Sequence, residues 1–156
     1  MKTLILYATK HGAAREVAQR IAKLIDGAAL HDLKQGGVPS LAEYDCIIIG
    51  GSIYVGMLRK EAKTFLAQNA DTLRGKRLGL FLCGMQASEE QTFFKSNFPA
   101  EILQAAKAAS FMGSIFDPKK AGIMERFIVK VAAKQSEYID NIDNEKIKKF
   151  AEVMRG

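Results

Sequence analysis

Short apolar runs alternate with amphipathic stretches along this chain, and the alternation predicts strands and helices in turn. Residues 3–7 (Thr-Leu-Ile-Leu-Tyr) form a brief apolar run ending at a turn, the pattern of a strand covered on both faces. Over 14–25 the apolar positions Val17, Ala18, Ile21, Leu24 and Ile25 recur at helical spacing. Arg15, Glu16, Arg20 and Lys23 fall largely between them, and Gly27 closes the helix. A weak strand is expected at 29–32, before Gly36-Gly37-Val38-Pro39 breaks the chain. The run Cys46-Ile47-Ile48-Ile49 is the most strand-like in the sequence. A helix over 60–69 buries Ala62, Phe65 and Leu66, and 78–82 reads as another buried strand. Pro99 can open a helix through 108, since its missing N–H is harmless in a first turn. A fifth strand is expected at 110–115. Helices over 123–134 and 144–155 complete the chain, the second with Asp143 as N-cap.

Strand and helix alternating throughout, with no repeat, linker or low-complexity tract, predict one α/β domain over residues 1–156. Its architecture is three-layered, a doubly wound five-stranded parallel sheet with helices on both faces. Five strands favour the order 2-1-3-4-5, whose crevice opens beyond the carboxyl ends of the strands where the order reverses. Three loops are expected to meet there: residues 8–13, 50–58 and 83–90.

Composition narrows the partners. At 156 residues the chain can bury a full core without metal or disulfide. Its 23 Lys+Arg against 17 Asp+Glu give a net charge of +6 and a pI near 9.3. The excess is spread along the chain rather than gathered into an aromatic-studded stripe, so nucleic acid is not an expected partner. No run approaches the ~20 apolar residues of a membrane span. The run over 4–8 is too short for a secretory leader. Two cysteines, Cys46 and Cys83, fit a reducing, cytoplasmic setting, and two Cys with two His give no metal-ligand spacing.

The three loops carry the candidate chemistry. The first, Thr9-Lys10-His11-Gly12-Ala13-Ala14, leads from a strand into a helix N-terminus, where unpaired N–H groups and about half a positive charge suit a phosphate. Gly12 admits close backbone approach, Thr9 offers a hydroxyl, and Lys10 and His11 add donors. A plain βα turn with solvated Lys and His is the alternative. The second loop, Gly50-Gly51-Ser52-Ile53-Tyr54-Val55-Gly56, holds three glycines that permit peptide reorientation. It also holds Tyr54, whose ring can stack on a planar ligand. A glycine-rich turn with Tyr54 on the surface is the other reading. The third loop is Cys83-Gly84-Met85-Gln86. With no basic neighbour to lower its pKa, Cys83 reads as a structural thiol before a redox one.

Absences exclude several classes. There is no phosphate-binding G-x-x-x-x-G-K-[S/T], no G-x-G-x-x-G after the first strand and no G-x-S-x-G elbow. The first and third strands end at Ala8-Thr9 and Gly50-Gly51, without the aspartates of a phospho-accepting receiver.

Together the opening strand, the loop from Thr9 to Ala14 and the segment from Gly50 to Gly56 resemble a flavodoxin, over nearly the whole chain. Gly51-Ser52-Ile53 with Gly56, and Met124-Glu125-Arg126-Phe127-Ile128-Val129-Lys130, are similar to the menaquinone-dependent protoporphyrinogen oxidase branch. The resemblance implies a flavodoxin-like fold and FMN as cofactor. Thr9, Lys10, His11, Gly12, Ala13 and Ala14 would bind its phosphate. Ser52, Ile53, Tyr54, Val55 and Gly56 would lie on one side of the ring, with Cys83, Gly84, Met85 and Gln86 on the other. It implies an oxidoreductase passing electrons from protoporphyrinogen IX towards a quinone, with no catalytic side chain because the flavin carries the chemistry. The alternatives are an electron carrier serving a redox partner protein, and a binding protein that keeps the fold without FMN. Flavodoxins usually carry Ser or Thr where this chain has Ala14. With no Trp, and no aromatic between Leu82 and Gln91, the ring is expected to be sandwiched on one side only. Carrier flavodoxins are usually acidic, so the basic charge here tilts the reading towards the oxidase. In the 123–134 helix Arg126, Lys130 and Lys134 recur every four residues. They form either a solvated stripe on a helix packed against the sheet or a peripheral contact with the inner face of an anionic membrane.

Overall fold

The computed structural model describes residues 1–118 and 138–156. The chain runs β1 (Thr3–Ala8), α1 (Ala13–Leu24), β2 (Ala29–Asp32), β3 (Cys46–Tyr54), β4 (Met57–Leu58), α2 (Lys60–Arg74), β5 (Arg77–Cys83), α3 (Glu90–Asn97), α4 (Ala100–Ala105), β6 (Ala106–Phe111), β7 (Ile115–Phe116), β8 (Ile139–Asp140) and α5 (Asn144–Arg155). The main sheet has the order β2-β1-β3-β5-β6 with these five strands parallel, and β4 pairs antiparallel with the end of β3. This is the expected flavodoxin-like order.

Both faces of the sheet are covered because successive strand residues point to opposite sides. Leu4 and Leu6, Ile47 and Ile49, and Leu78, Leu80 and Leu82 join one core. Ala62, Phe65, Leu66, Phe93, Phe94 and Ile102 of α2, α3 and α4 complete it. Ile5, Ile48 and Phe81 join the other core, with Val17, Ala18 and Ile21 of α1 and Ile147, Phe150 and Met154 of α5. Gly79 sets how closely α5 meets the sheet, and Gly50 makes room for a side chain of the neighbouring strand. A Cβ at Gly79 would fall 2.8 Å from Met154 Sδ, and one at Gly50 only 2.2 Å from the Phe81 ring.

Four expectations need adjustment. β3 runs on to Tyr54, so Gly50–Tyr54 is strand rather than loop. The fifth sheet strand is Ala106–Phe111, not 110–115, and α4 stops at Ala105 rather than continuing to 108. α2 reaches Arg74, past the 60–69 expected. α3 was not foreseen. The helix expected at 123–134, the Met124–Lys130 motif and the Arg126, Lys130, Lys134 stripe lie outside the described residues. Among the described residues no helix is long and apolar enough to cross a membrane.

Candidate functional site

The order reverses between β1 and β3, and the loops leaving their carboxyl ends diverge there to open a cleft. The cleft has a volume of about 230 Å³. Its lining brings together ten of the fifteen candidates: Lys10, His11, Ala13, Ser52, Ile53, Tyr54, Val55, Cys83, Gly84 and Met85. Thr9, Gly12, Ala14, Gly56 and Gln86 do not line it.

Three of those five act from behind the lining. Gly12 is the N-cap of α1, in the left-handed region at φ 100, and has no side chain to cap the helix. Its own N–H donates to Thr9 Oγ1 at 2.9 Å. Thr9 Oγ1 also lies 3.4 Å from Ser52 Oγ, which ties the first loop to the end of β3. Ala14 lies in the first turn of α1 and is fully buried in the core, so its side chain offers the site no donor. The start of α1 is therefore a helix N-terminus without a side-chain cap, beside the Thr9 and Ser52 hydroxyls and two residues after Lys10. A phosphate fits that donor set.

The aromatic element is a tight hairpin. β3 and β4 pair at Ile53↔Leu58 and Tyr54↔Met57, leaving Val55 and Gly56 as a two-residue turn. Both have positive φ, 50 and 72, as a type I′ turn requires. Asn97, in the last turn of α3 and 5% exposed, holds this hairpin from below. Its Oδ1 accepts from the Leu58 N–H at 2.9 Å. Its Nδ2 donates to the Gly56 carbonyl at 3.0 Å and to the Phe93 carbonyl at 2.9 Å. Lys10 Nζ sits 3.1 Å from the centroid of the Tyr54 ring, a cation–π contact between the first loop and the second.

The glycines at 50 and 51 serve packing rather than peptide reorientation. Both lie in β3, and added Cβ atoms would strike Phe81 and, at 2.6 Å, Leu58. Of this loop's glycines only Gly56 needs its positive φ.

The cleft lining has a further source that the three loops expected from the sequence do not include. Ser114, Ile115, Phe116 and Asp117, following β6, line the cleft with Cys83, Gly84 and Met85. Phe116 thus adds a second aromatic to the cleft lining besides Tyr54. The signal was Gly113, at φ 94. Its carbonyl accepts from the Gly84 N–H at 2.9 Å, which joins this loop to the third. Burial pushes the Cys83 thiol well above the ordinary cysteine range. It stays protonated and nearly inaccessible, as a structural thiol should. Cys46 and Cys83 are both free. Among the described residues no group of His, Cys, Asp or Glu is placed to hold a metal ion.

A family model for the flavodoxin domain matches residues 4–143. Protoporphyrinogen IX dehydrogenase (quinone) from Escherichia coli strain K12 is 25% identical over 150 residues, covering 87% of this chain and 81% of that protein. Flavodoxin from Helicobacter pylori is 25% identical over 160 residues, covering 97% of this chain and 95% of that protein. The crystal structure of oxidised flavodoxin 2 from Bacillus cereus superposes with a TM-score of 0.63 at 22% identity, covering 99% of this chain and 97% of that one. At that identity the likeness is one of fold.

Proposed function

This chain belongs to the flavodoxin family, and on that premise we propose that it is an FMN-dependent oxidoreductase that takes electrons from protoporphyrinogen IX, or a close relative, towards a quinone. The observation that carries the cofactor is the single cleft that joins a helix N-terminus without a side-chain cap to a lining containing Lys10, Tyr54 and Phe116. A phosphate and a flat aromatic ring on one ligand match those two parts. When bound, FMN supplies the reversible electron transfer that no protein side chain here provides.

The chain's own residues bind and orient. The backbone N–H groups opening α1, with Lys10, hold the phosphate end. Ser52, Ile53, Tyr54 and Val55 present one wall, and Cys83, Gly84, Met85, Ile115 and Phe116 present another. These walls are mostly apolar, and so they exclude water from the ring.

The substrate rests on similarity to the Escherichia coli dehydrogenase and on the basic charge. Purified protein titrated with FMN should quench flavin fluorescence at micromolar concentration. The loaded protein should then oxidise protoporphyrinogen IX with a quinone acceptor. No turnover with any quinone rejects the substrate, and no quenching leaves a binding protein that has kept the fold alone.

A second reading, an electron carrier with a redox partner protein, is favoured by the Helicobacter pylori flavodoxin. It matches at equal identity over more of both chains. Reduction by a flavodoxin reductase, with onward transfer to a partner and no protoporphyrinogen oxidation, selects it. Peripheral membrane contact through Arg126, Lys130 and Lys134 would place the oxidase beside a quinone pool on the cytoplasmic side. Flotation with anionic vesicles tests it, and protein left unbound ends that part of the proposal.

A further inference from the structure

The contact between Lys10 and Tyr54 joins the two parts of the cleft that different portions of one ligand would use. The Lys10 ammonium covers a face of the Tyr54 ring at 3.1 Å from its centroid, and both side chains line the cleft. An ammonium and a flat ligand cannot share one ring face. Any planar group that stacks there must first move Lys10, at the cost of the cation–π contact. A ligand carrying phosphate at the start of α1 repays that cost, because it offers the displaced ammonium, two residues before the Gly12 N-cap, a charge-assisted partner. A ligand without phosphate does not.

We propose that Lys10 is a specificity-determining residue: it occupies the Tyr54 ring until phosphate draws it off, so the site accepts FMN and resists unphosphorylated flavin. This rests on the FMN reading above. It differs from a simple charge attraction, because Lys10 then acts on both ligands, with opposite signs. The ligand must bind the displaced state better than the seated one, and only the phosphorylated flavin does.

The test compares apoprotein of wild type, Lys10→Met and Lys10→Arg by flavin fluorescence quenching, with FMN and with riboflavin. Methionine keeps the length of the side chain and removes its charge. In Lys10→Met, FMN affinity should fall by about tenfold through loss of a charged bond. Riboflavin affinity should rise by about two- to fivefold through release of the ring. Lys10→Arg should preserve the wild-type preference, since guanidinium also covers rings and binds phosphate. If Lys10→Met weakens FMN and leaves riboflavin unchanged, Lys10 is only a phosphate ligand and the proposal is overturned. A loss of affinity for both flavins overturns it equally, as a structural role. Wild-type protein that binds neither flavin overturns the FMN reading itself, a result distinct from either.

Discussion

Val55 holds a β-branched side chain at φ 50, and that side chain is 83% exposed at the tip of the β3–β4 hairpin. Left-handed backbone costs an ordinary residue about 1–2 kcal/mol, and burial at the tip returns little of it. Asparagine tolerates this conformation and suits the first position of a type I′ turn before glycine. Val55→Asn should therefore raise stability by about 1 kcal/mol in urea denaturation, with the register of the hairpin unchanged. This strain was hidden in the sequence, where Val55-Gly56 carried no turn signal of the Asn-Gly kind and the segment read as loose, glycine-rich loop. The glycines themselves were legible, but their purpose was not. What requires Gly50 and Gly51 is the Phe81 ring and Leu58, which approach from β5 and from β4. Such demands come from tertiary packing and leave no local trace. Lys10 and Tyr54 were each readable as candidates, while their contact, across 44 residues, appears only once β1 and β3 lie side by side.

At the scale of elements, α3 supports the hairpin through a single buried amide. Asn97→Ala would strand the Leu58 N–H and the Gly56 carbonyl. It should cost about 3 kcal/mol in urea denaturation and weaken FMN binding, because the hairpin carries Tyr54. A second tie joins α1 to the chain just before α5. Arg20 donates to Glu16 at 2.8 Å, to Asn144 at 3.0 Å and to Asp140 at 2.6 Å. The Arg20 hydrogen bond holds the Asp140 carboxyl below its ordinary value. A depressed carboxylate stabilises the fold above its unfolded pKa and ceases to do so as pH falls through its folded one. Asp140→Asn should thus cost about 0.5–1 kcal/mol at pH 7, and the difference from wild type should fade below about pH 4. Chemical denaturation at several pH values measures both. Elements with one dominant period were legible, namely β1, the Cys46–Ile49 part of β3, β5, α1 and α5. The segment Ala-Lys-Ala-Ala-Ser-Phe of β6 was not, since alanine favours helix and nothing local marks the stop at Ala105. Pairing with β5 at the sheet edge overrides that propensity. The misplaced strand in turn concealed Ser114 to Asp117, which is why a whole wall of the cleft went unread.

For the whole molecule, cofactor and fold are linked. A ligand that binds only the native state adds about 2.7 kcal/mol at a free concentration one hundred times its Kd. For a domain of this size that shifts Tm by about 5–10 °C, so calorimetry across an FMN series should show a concentration-dependent rise. Absence of that rise would mean that the cleft and the global fold are not engaged by FMN together. Both faces of the sheet are covered by the apolar sides of its helices. The last strands suggest a different use for the architecture. β7 and β8 pair at Ile115↔Asp140 and Phe116↔Ile139, and Asn141 N–H donates to the Ser114 carbonyl at 2.8 Å. The two described segments thus meet at one point, beside Phe116 of the cleft lining. This two-residue ladder works as a clasp, fixing one flank of the cleft to the strand that leads into α5.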